Sequence, residues 1–121
     1  MLFFKKHIGQ LGEKEAVRYL KKKKFKILET NYTNYYGEID IVAKNDGYLI
    51  FVEVKTRTGT DFGYAAEAVD FKKQKKLKIL AQTYVGKSYD VNIRFDIVEV
   101  YVNKENNNVY RINHIENAFG F

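Results

Sequence analysis

Asn45-Asp46-Gly47 separates two runs rich in β-branched and apolar residues, 38–44 (Glu-Ile-Asp-Ile-Val-Ala-Lys) and 48–56 (Tyr-Leu-Ile-Phe-Val-Glu-Val-Lys-Thr). Asp and Gly tolerate positive φ, so the tripeptide dictates a tight reversal between two antiparallel strands. Strand side chains alternate faces, which puts Leu49, Phe51, Glu53 and Lys55 on one side and Ile50, Val52 and Val54 on the other. A strand apolar on both sides is central and buried, yet this one ends in a carboxylate and an ammonium. Asp40 lies on the partner strand, again inside an apolar run of Ile39, Ile41 and Val42. Two carboxylates and one lysine are thereby expected to converge at one end of the hairpin. Burial of such charges costs several kcal/mol unless they are paired or bound to a metal.

The flanking segments set the fold class. From Ile8 to about Lys24, the residues Ile8, Leu11, Ala16, Tyr19 and Leu20 share one side of a helix, with Gly9 and Gly12 weakening its first turn. The run Lys21–Lys24 suits the negative end of the helix dipole. Residues 25–33 read as a strand carrying Phe25, Ile27 and Tyr32. A second helix is expected over 65–85, with Val69, Leu77, Leu80, Ala81 and Tyr84 on one face. Residues 92–102 alternate as a strand, and a short one is expected at 109–113 after the Asn106–Asn108 turn. The order α-β-β-β-α-β-β predicts an α/β domain with a mixed sheet. Its 121 residues, without repeat, linker or proline, suggest a single domain over 1–121.

Composition removes several chemistries. There is no cysteine, hence no disulfide, thiolate zinc site or cysteine nucleophile, and two histidines are too few for most imidazole metal sites. No apolar stretch approaches a membrane span, and Met1–Phe4 is too short for a signal-peptide core, so a cytoplasmic protein is the default expectation. The net charge of +6 is blocked. Residues 1–36 carry nine basic and three acidic side chains, 37–71 three and seven, 72–87 six lysines and no acid, and 88–121 three and five. Basic blocks favour polyanions such as nucleic acid; solvated helix faces in a lysine-rich chain are the bland alternative.

An acidic island holding Asp40 and Glu53 suits a hard cation. Mg²⁺ prefers a few carboxylate oxygens, keeps several waters and accepts a phosphate oxygen as a further ligand. It stabilises phosphoryl charge and acidifies a bound water. Lys55 would orient or deprotonate that water, or neutralise developing charge. A buried Glu53–Lys55 or Asp40–Lys55 ion pair without catalysis fits the same spacing.

Gly37-Glu38-Ile39-Asp40 followed by Glu53-Val54-Lys55 resembles the PD-(D/E)xK nuclease signature, with Ile39 where that signature has proline. More closely, the chain resembles the bacterial YraN family, related to archaeal Holliday junction resolvases. The features that match in order are Gly9-x-x-Gly12-Glu13-x-x-Ala16, Gly37-Glu38-Ile39-Asp40 and Phe51-Val52-Glu53-Val54-Lys55-Thr56-Arg57. Phe62-Gly63, Glu67-Ala68-Val69, and Lys73 with Leu77, Ala81 and Tyr84 follow. The resemblance implies a restriction endonuclease-like fold, a central mixed sheet flanked by helices with an α-β-β-β-α-β core. It implies an Mg²⁺ or Mn²⁺ site at Asp40 and Glu53, with Lys55 beside it and Glu13 as the extra acidic residue from the first helix. Helical geometry alone puts Glu15 nearer the middle of the apolar face than Glu13. Lys73 falls within the apolar face of the second helix, from where it and Gln74 would reach a phosphate or the Glu53 carboxylate.

Around this centre, Arg57, Lys72, Lys73 and Lys76 are candidate phosphate contacts, with an ion pair the alternative for Arg57. Tyr32, Tyr35 and Tyr36 would either stack on unpaired bases or cap a sheet edge. His7 and His114 are assigned no role. The leading expectation is a metal-dependent DNA endonuclease on branched or distorted DNA, with a homodimer suited to symmetric junctions. A noncatalytic nucleic-acid-binding module that recruits partners is the alternative; a two-carboxylate glycosidase fits Lys55 and the basic blocks poorly.

Overall fold

A computed structural model describes residues 2–58, 69–87 and 90–121, with side chains from His7 onward. Helix α1 (Leu2–Lys22) leads into strands β1 (Lys26–Asn34), β2 (Gly37–Asn45) and β3 (Tyr48–Thr58). Helix α2 (Phe71–Val85), β4 (Asn92–Val102) and β5 (Val109–Phe119) complete the order. The five strands form one sheet in the order β1-β2-β3-β4-β5. All neighbours are antiparallel except β3 and β4, which run parallel and are joined through α2. This is the expected α/β architecture with a mixed sheet, consistent with a restriction endonuclease-like core. No described helix is long and apolar enough to cross a membrane.

The hairpin forms as its turn dictates: Asp46 and Gly47 take φ of 51° and 81°, and Asn45 pairs with Tyr48. Alternation on β3 then divides the core. Ile50 and Val52 join Ala16, Leu20, Ile41, Val98 and Val100 under α1. Leu49 and Phe51 join Leu77, Leu80, Ala81, Phe95 and Ile97 under α2. Helix α1 stops in a Schellman arrangement, where Lys24 adopts a left-handed φ of 71° and the Phe25 N–H donates to Leu20 O. That turn drops Phe25 into the core beneath the helix.

Two boundaries differ from the sequence reading. Helix α2 begins at Phe71, because Asp70 is its N-cap and accepts the Lys73 N–H on Oδ1 at 2.8 Å. Val69, in register with the helix face, is buried ahead of that cap. The rest of the expected helix start, with Phe62-Gly63 and Glu67-Ala68, lies outside the described residues. Strand β5 extends to Phe119, well past residue 113. Its alternation is masked in sequence by Asn113, Glu116 and Asn117, the last taking a left-handed φ of 53° where the β4–β5 register shifts.

Gly9 and Gly12 both sit inside α1, which runs through them from Leu2. A Cβ at Gly12 would collide with the Thr56 side chain on β3, whereas one at Gly9 would meet nothing within 4 Å. Gly12 is therefore the point where helix and strand touch. Gly12→Ala is expected to destabilise by about 1–2 kcal/mol despite the better helix former, through overpacking. Gly9→Ala should stabilise by about 0.5–1 kcal/mol. Urea midpoints of the two variants moving in the same direction would refute this contact.

Candidate active site

The β2–β3 ladder stops at the Ile41–Val52 pair, just before Asp40 and Glu53 would face each other. Beyond it, the Asp40 side chain takes over the role of a strand carbonyl: Oδ2 accepts the Val54 N–H at 2.7 Å. A twist in β2 makes this possible. Ile41 packs under α1 and Ile39 under α2, so strict alternation breaks at the residue between them. On β1, Asn31 falls level with Asp40, between the Thr30–Ile41 and Tyr32–Ile39 pairs, and adopts a left-handed φ of 53°. Asn and Asp are the residues that enter this region most readily after Gly. The strands splay here, and the Asp40 carboxylate is held in the opening.

Glu53, on the face toward α2, is only 8% exposed. Burial, then the neighbouring Asp40 carboxyl, push its acid up to about 7, against a smaller opposing pull from Lys73. Lys73 Nζ stands 3.2 Å from Glu53 Oε2. Beyond that contact Oε2 has no hydrogen-bond partner. The contact leaves the buried Oε2 with coordination capacity to spare. Lys55 on the same strand face is pushed below its ordinary value by burial and by the adjacent Lys73.

Glu13 reaches the group from the other side. It is pushed up by burial and by Asp40, against a smaller opposing pull from Asn31. Glu15, more central by helical geometry, is instead paired with Arg18 at 3.6 Å. Asp40 consequently lines two openings: a cleft with Glu13, Gln10, Thr30 and Asn31, and a cavity of about 390 Å³ toward α2. Glu53, Lys72, Lys73, Lys76, Tyr36 and Glu38 share that cavity. The first turn of α2 stands at its edge, where the positive end of the helix dipole adds to the lysines. Lys55 and Glu13 line a third cleft with Ile8, Gly9 and Thr56.

Asp40, Glu53, Lys55, Glu13 and Lys73 are therefore brought together, and Lys72 and Lys76 line the cavity that Asp40, Glu53 and Lys73 share. Two candidates are placed otherwise. The Gln74 amide turns back to the helix start, donating to Val69 O at 2.9 Å. Arg57 lies one alternation beyond Lys55, which β4 pairs with Glu99. Its Nε forms an ion pair at 3.5 Å with the buried Glu99, whose other oxygen accepts from Asn113 at 2.9 Å. Asn31 was missed from sequence, although an asparagine within a β-branched run is the visible signal of a local twist.

The donor set bears on a metal. Among the described residues no three His, Cys, Asp or Glu side chains stand close enough to enclose an ion by themselves. A hard cation that keeps most of its waters needs only one or two carboxylates, and Asp40 with the unsatisfied Glu53 oxygen supplies them. That residue pair fits Mg²⁺ or Mn²⁺ and does not fit a fully dehydrated ion.

Crowding of the acids has a thermodynamic signature. Folded Glu53 keeps its proton up to about pH 7, whereas an unfolded glutamate gives it up near 4.5. Between those values the unfolded chain binds fewer protons, so stability falls as pH rises through the window. Glu53→Gln is expected to be more stable than the parent by about 2–3 kcal/mol at pH 8, the difference shrinking toward pH 4.5. Urea melts in metal-free buffer at several pH values measure it, and a pH-independent difference would refute the buried-acid account.

Comparison with known proteins places the chain. The model of the uncharacterised protein family UPF0102 matches residues 12–100. A UPF0102 protein of Caldanaerobacter subterraneus subsp. tengcongensis is 50% identical over 117 residues, covering 95% of this chain and 96% of the relative. One of Clostridioides difficile is 51% identical over 116 residues, covering 94% and 97%. Another, of Caldicellulosiruptor saccharolyticus, is 45% identical over 117 residues, covering 95% and 98%. The matched segment runs from the glycine that touches β3 to near the end of β4, and the chain belongs to the UPF0102 family.

Proposed function

We propose that this protein is a metal-dependent DNA endonuclease that hydrolyses phosphodiester bonds, with branched or distorted DNA as its substrate. The observation that carries the reading is the Asp40 carboxylate held in the gap of the sheet beside a buried Glu53 oxygen that lacks a hydrogen-bond partner. Asp40 and Glu53 would hold Mg²⁺ or Mn²⁺, with Glu13 beside them. When bound, the ion supplies Lewis-acid stabilisation of phosphoryl charge and a more acidic water.

The chain's own residues supply the rest. Lys55, pushed down by burial and Lys73, has a larger neutral fraction than a solvated lysine and is suited to take a proton from an attacking water. Lys73, with its ammonium at Glu53, balances negative charge that would otherwise repel a phosphate. Lys72 and Lys76 on the cavity wall favour the flanking phosphates without reading sequence. The cleft on the α1 side of Asp40 gives a water access separate from the phosphate-facing cavity.

The test is incubation of purified protein with labelled junction, flap, duplex and single-stranded DNA in Mg²⁺, Mn²⁺ or EDTA. Cutting that requires metal is expected, with salt-sensitive binding retained in EDTA. Binding without cutting on every substrate would instead favour a noncatalytic recruitment module.

A further inference from the structure

The three tyrosines near the acidic motif separate in the fold. Tyr32 is packed edge-on against Tyr84 at 5.0 Å and belongs to the core beneath α2. Tyr35 and Tyr36 make up the whole turn between β1 and β2, since Asn34 pairs with Gly37 directly across them. Tyr35 is 95% exposed and Tyr36 45%. Tight turns favour Gly, Asn, Asp, Ser and Pro, and two aromatic rings contribute nothing to reversing the chain. The reversal is secured by their neighbours: the Tyr36 N–H donates to Asn34 Oδ1 at 2.9 Å, and Gly37 takes a φ of 143° that side chains rarely adopt. The rings lie edge to face at 5.3 Å and 87°, so each presents a face away from the other. Tyr36 also lines the cavity that holds Asp40, Glu53 and Lys72. Four residue steps lead from Tyr36 to Asp40, about 13 Å at ~3.3 Å each. At ~3.4 Å per stacked nucleotide, that span corresponds to about four nucleotides.

We propose that Tyr35 and Tyr36 form a stacking platform for one or two unpaired bases a few nucleotides from the bond to be cut. The platform selects DNA with an exposed single strand over uninterrupted duplex. This rests on the nuclease reading and narrows its substrate to DNA with an exposed single strand. An aromatic face accepts any base, so it senses strandedness without sequence, while the lysines of α2 hold the backbone. Single-strand occupancy is favoured over a protein partner because the tip is continuous with a lysine-lined cavity.

Full-length protein in EDTA would be titrated onto a flap DNA carrying 2-aminopurine at successive positions of the single-stranded arm, and onto matched blunt duplex. The parent is expected to quench emission at one or two positions about four nucleotides from the junction. Tyr35→Ala and Tyr36→Ala should each abolish that quenching and weaken flap binding about tenfold, with duplex binding unchanged. Tyr35→Phe and Tyr36→Phe, which keep the ring, should behave as the parent. Lys72→Glu with Lys76→Glu should weaken both substrates alike. Alanine variants that bind flap as the parent does, or lose flap and duplex equally, would overturn the platform while leaving the nuclease reading standing. A parent protein that binds no DNA of either form would overturn both.

Discussion

Glu53→Ala is expected to lower the rate of metal-dependent DNA cleavage by at least about 10³-fold, roughly 4 kcal/mol of barrier. Binding of the same DNA should stay within a few-fold, because Lys72 and Lys76 on the cavity wall are untouched. The size follows from the site. Glu53 is the buried acid whose Oε2 has no hydrogen-bond partner, and its loss leaves Asp40 as the one carboxylate of the pair on the α2 side. Asp40→Asn provides the matching control. The asparagine oxygen can still accept the Val54 N–H that Asp40 accepts at 2.7 Å, so the strand gap should persist while the charge is lost. It too should cost about 10³-fold. Lys55→Ala, which removes the proton acceptor, is expected to cost about 10²–10⁴-fold. Single-turnover rates with saturating protein measure all three, and undiminished cutting in either carboxylate variant would end the proposal that this pair carries the chemistry.

The largest effect on stability is expected elsewhere, at Asp96. Its carboxylate is 1% exposed under the α1 face of the sheet and is held from four directions. Arg94 donates twice, at 2.8 and 2.9 Å, His114 Nε2 stands at 2.7 Å, and the Asn117 N–H donates at 3.0 Å. Lys23 Nζ lies 3.2 Å from the other ring nitrogen of His114. An ammonium has no acceptor, so Nδ1 accepts from Lys23 and Nε2–H donates to Asp96. Burial pushes the Asp96 acid up, but the His114, Arg94 and Asn117 hydrogen bonds outweigh it and hold the acid below its ordinary 3.8. The resulting stability is present above that value and is lost as acidification proceeds through the lower folded one. Asp96→Ala takes the carboxylate from the half-buried Arg94 guanidinium and from His114, which is expected to cost about 3–5 kcal/mol. For a chain of this size, the melting temperature should fall by about 12–20 °C. A shift under a few degrees would mean that the network is replaceable by water.

The parts of the fold legible in sequence are those fixed by local chemistry. Asp46-Gly47 forces the hairpin, and the Glu53-Val54-Lys55 alternation then places an acid and a lysine on one face whatever the rest of the chain does. Lys73 was legible for a related reason, as a charge at a buried helical position, and its ion pair with Glu53 gives that position its logic. What stayed hidden depends on pairings remote in sequence. His114 is isolated along the chain and acquires meaning only because β5 carries it beside Asp96 and beneath the end of α1. Sequence leaves Arg57 open between a phosphate contact and an ion pair, and its partner appears only when parallel pairing sets Glu99 beside Lys55, within its reach. Gln74 looked available because it neighbours Lys73, but at the start of a helix a neighbour projects about 100° away, and its amide is used by Val69. The Asp70 cap was local and readable; the apolar step from Val69 to Leu77 obscured it.

The parallel pairing of β3 with β4 also orders events in time. The β1-β2-β3 meander is complete at Thr58, before any residue of α2 has been added to the chain. A nascent chain emerging from the ribosome therefore carries both facing acids, Asp40 and Glu53, ahead of Lys73, the cation paired with Glu53 in the finished fold. Until then β3 exposes a long unpaired edge, since its second neighbour is the strand that arrives after the helix. That edge ends in Glu53, Lys55 and Arg57, charged side chains of the kind that make an open strand a poor template for a second nascent copy.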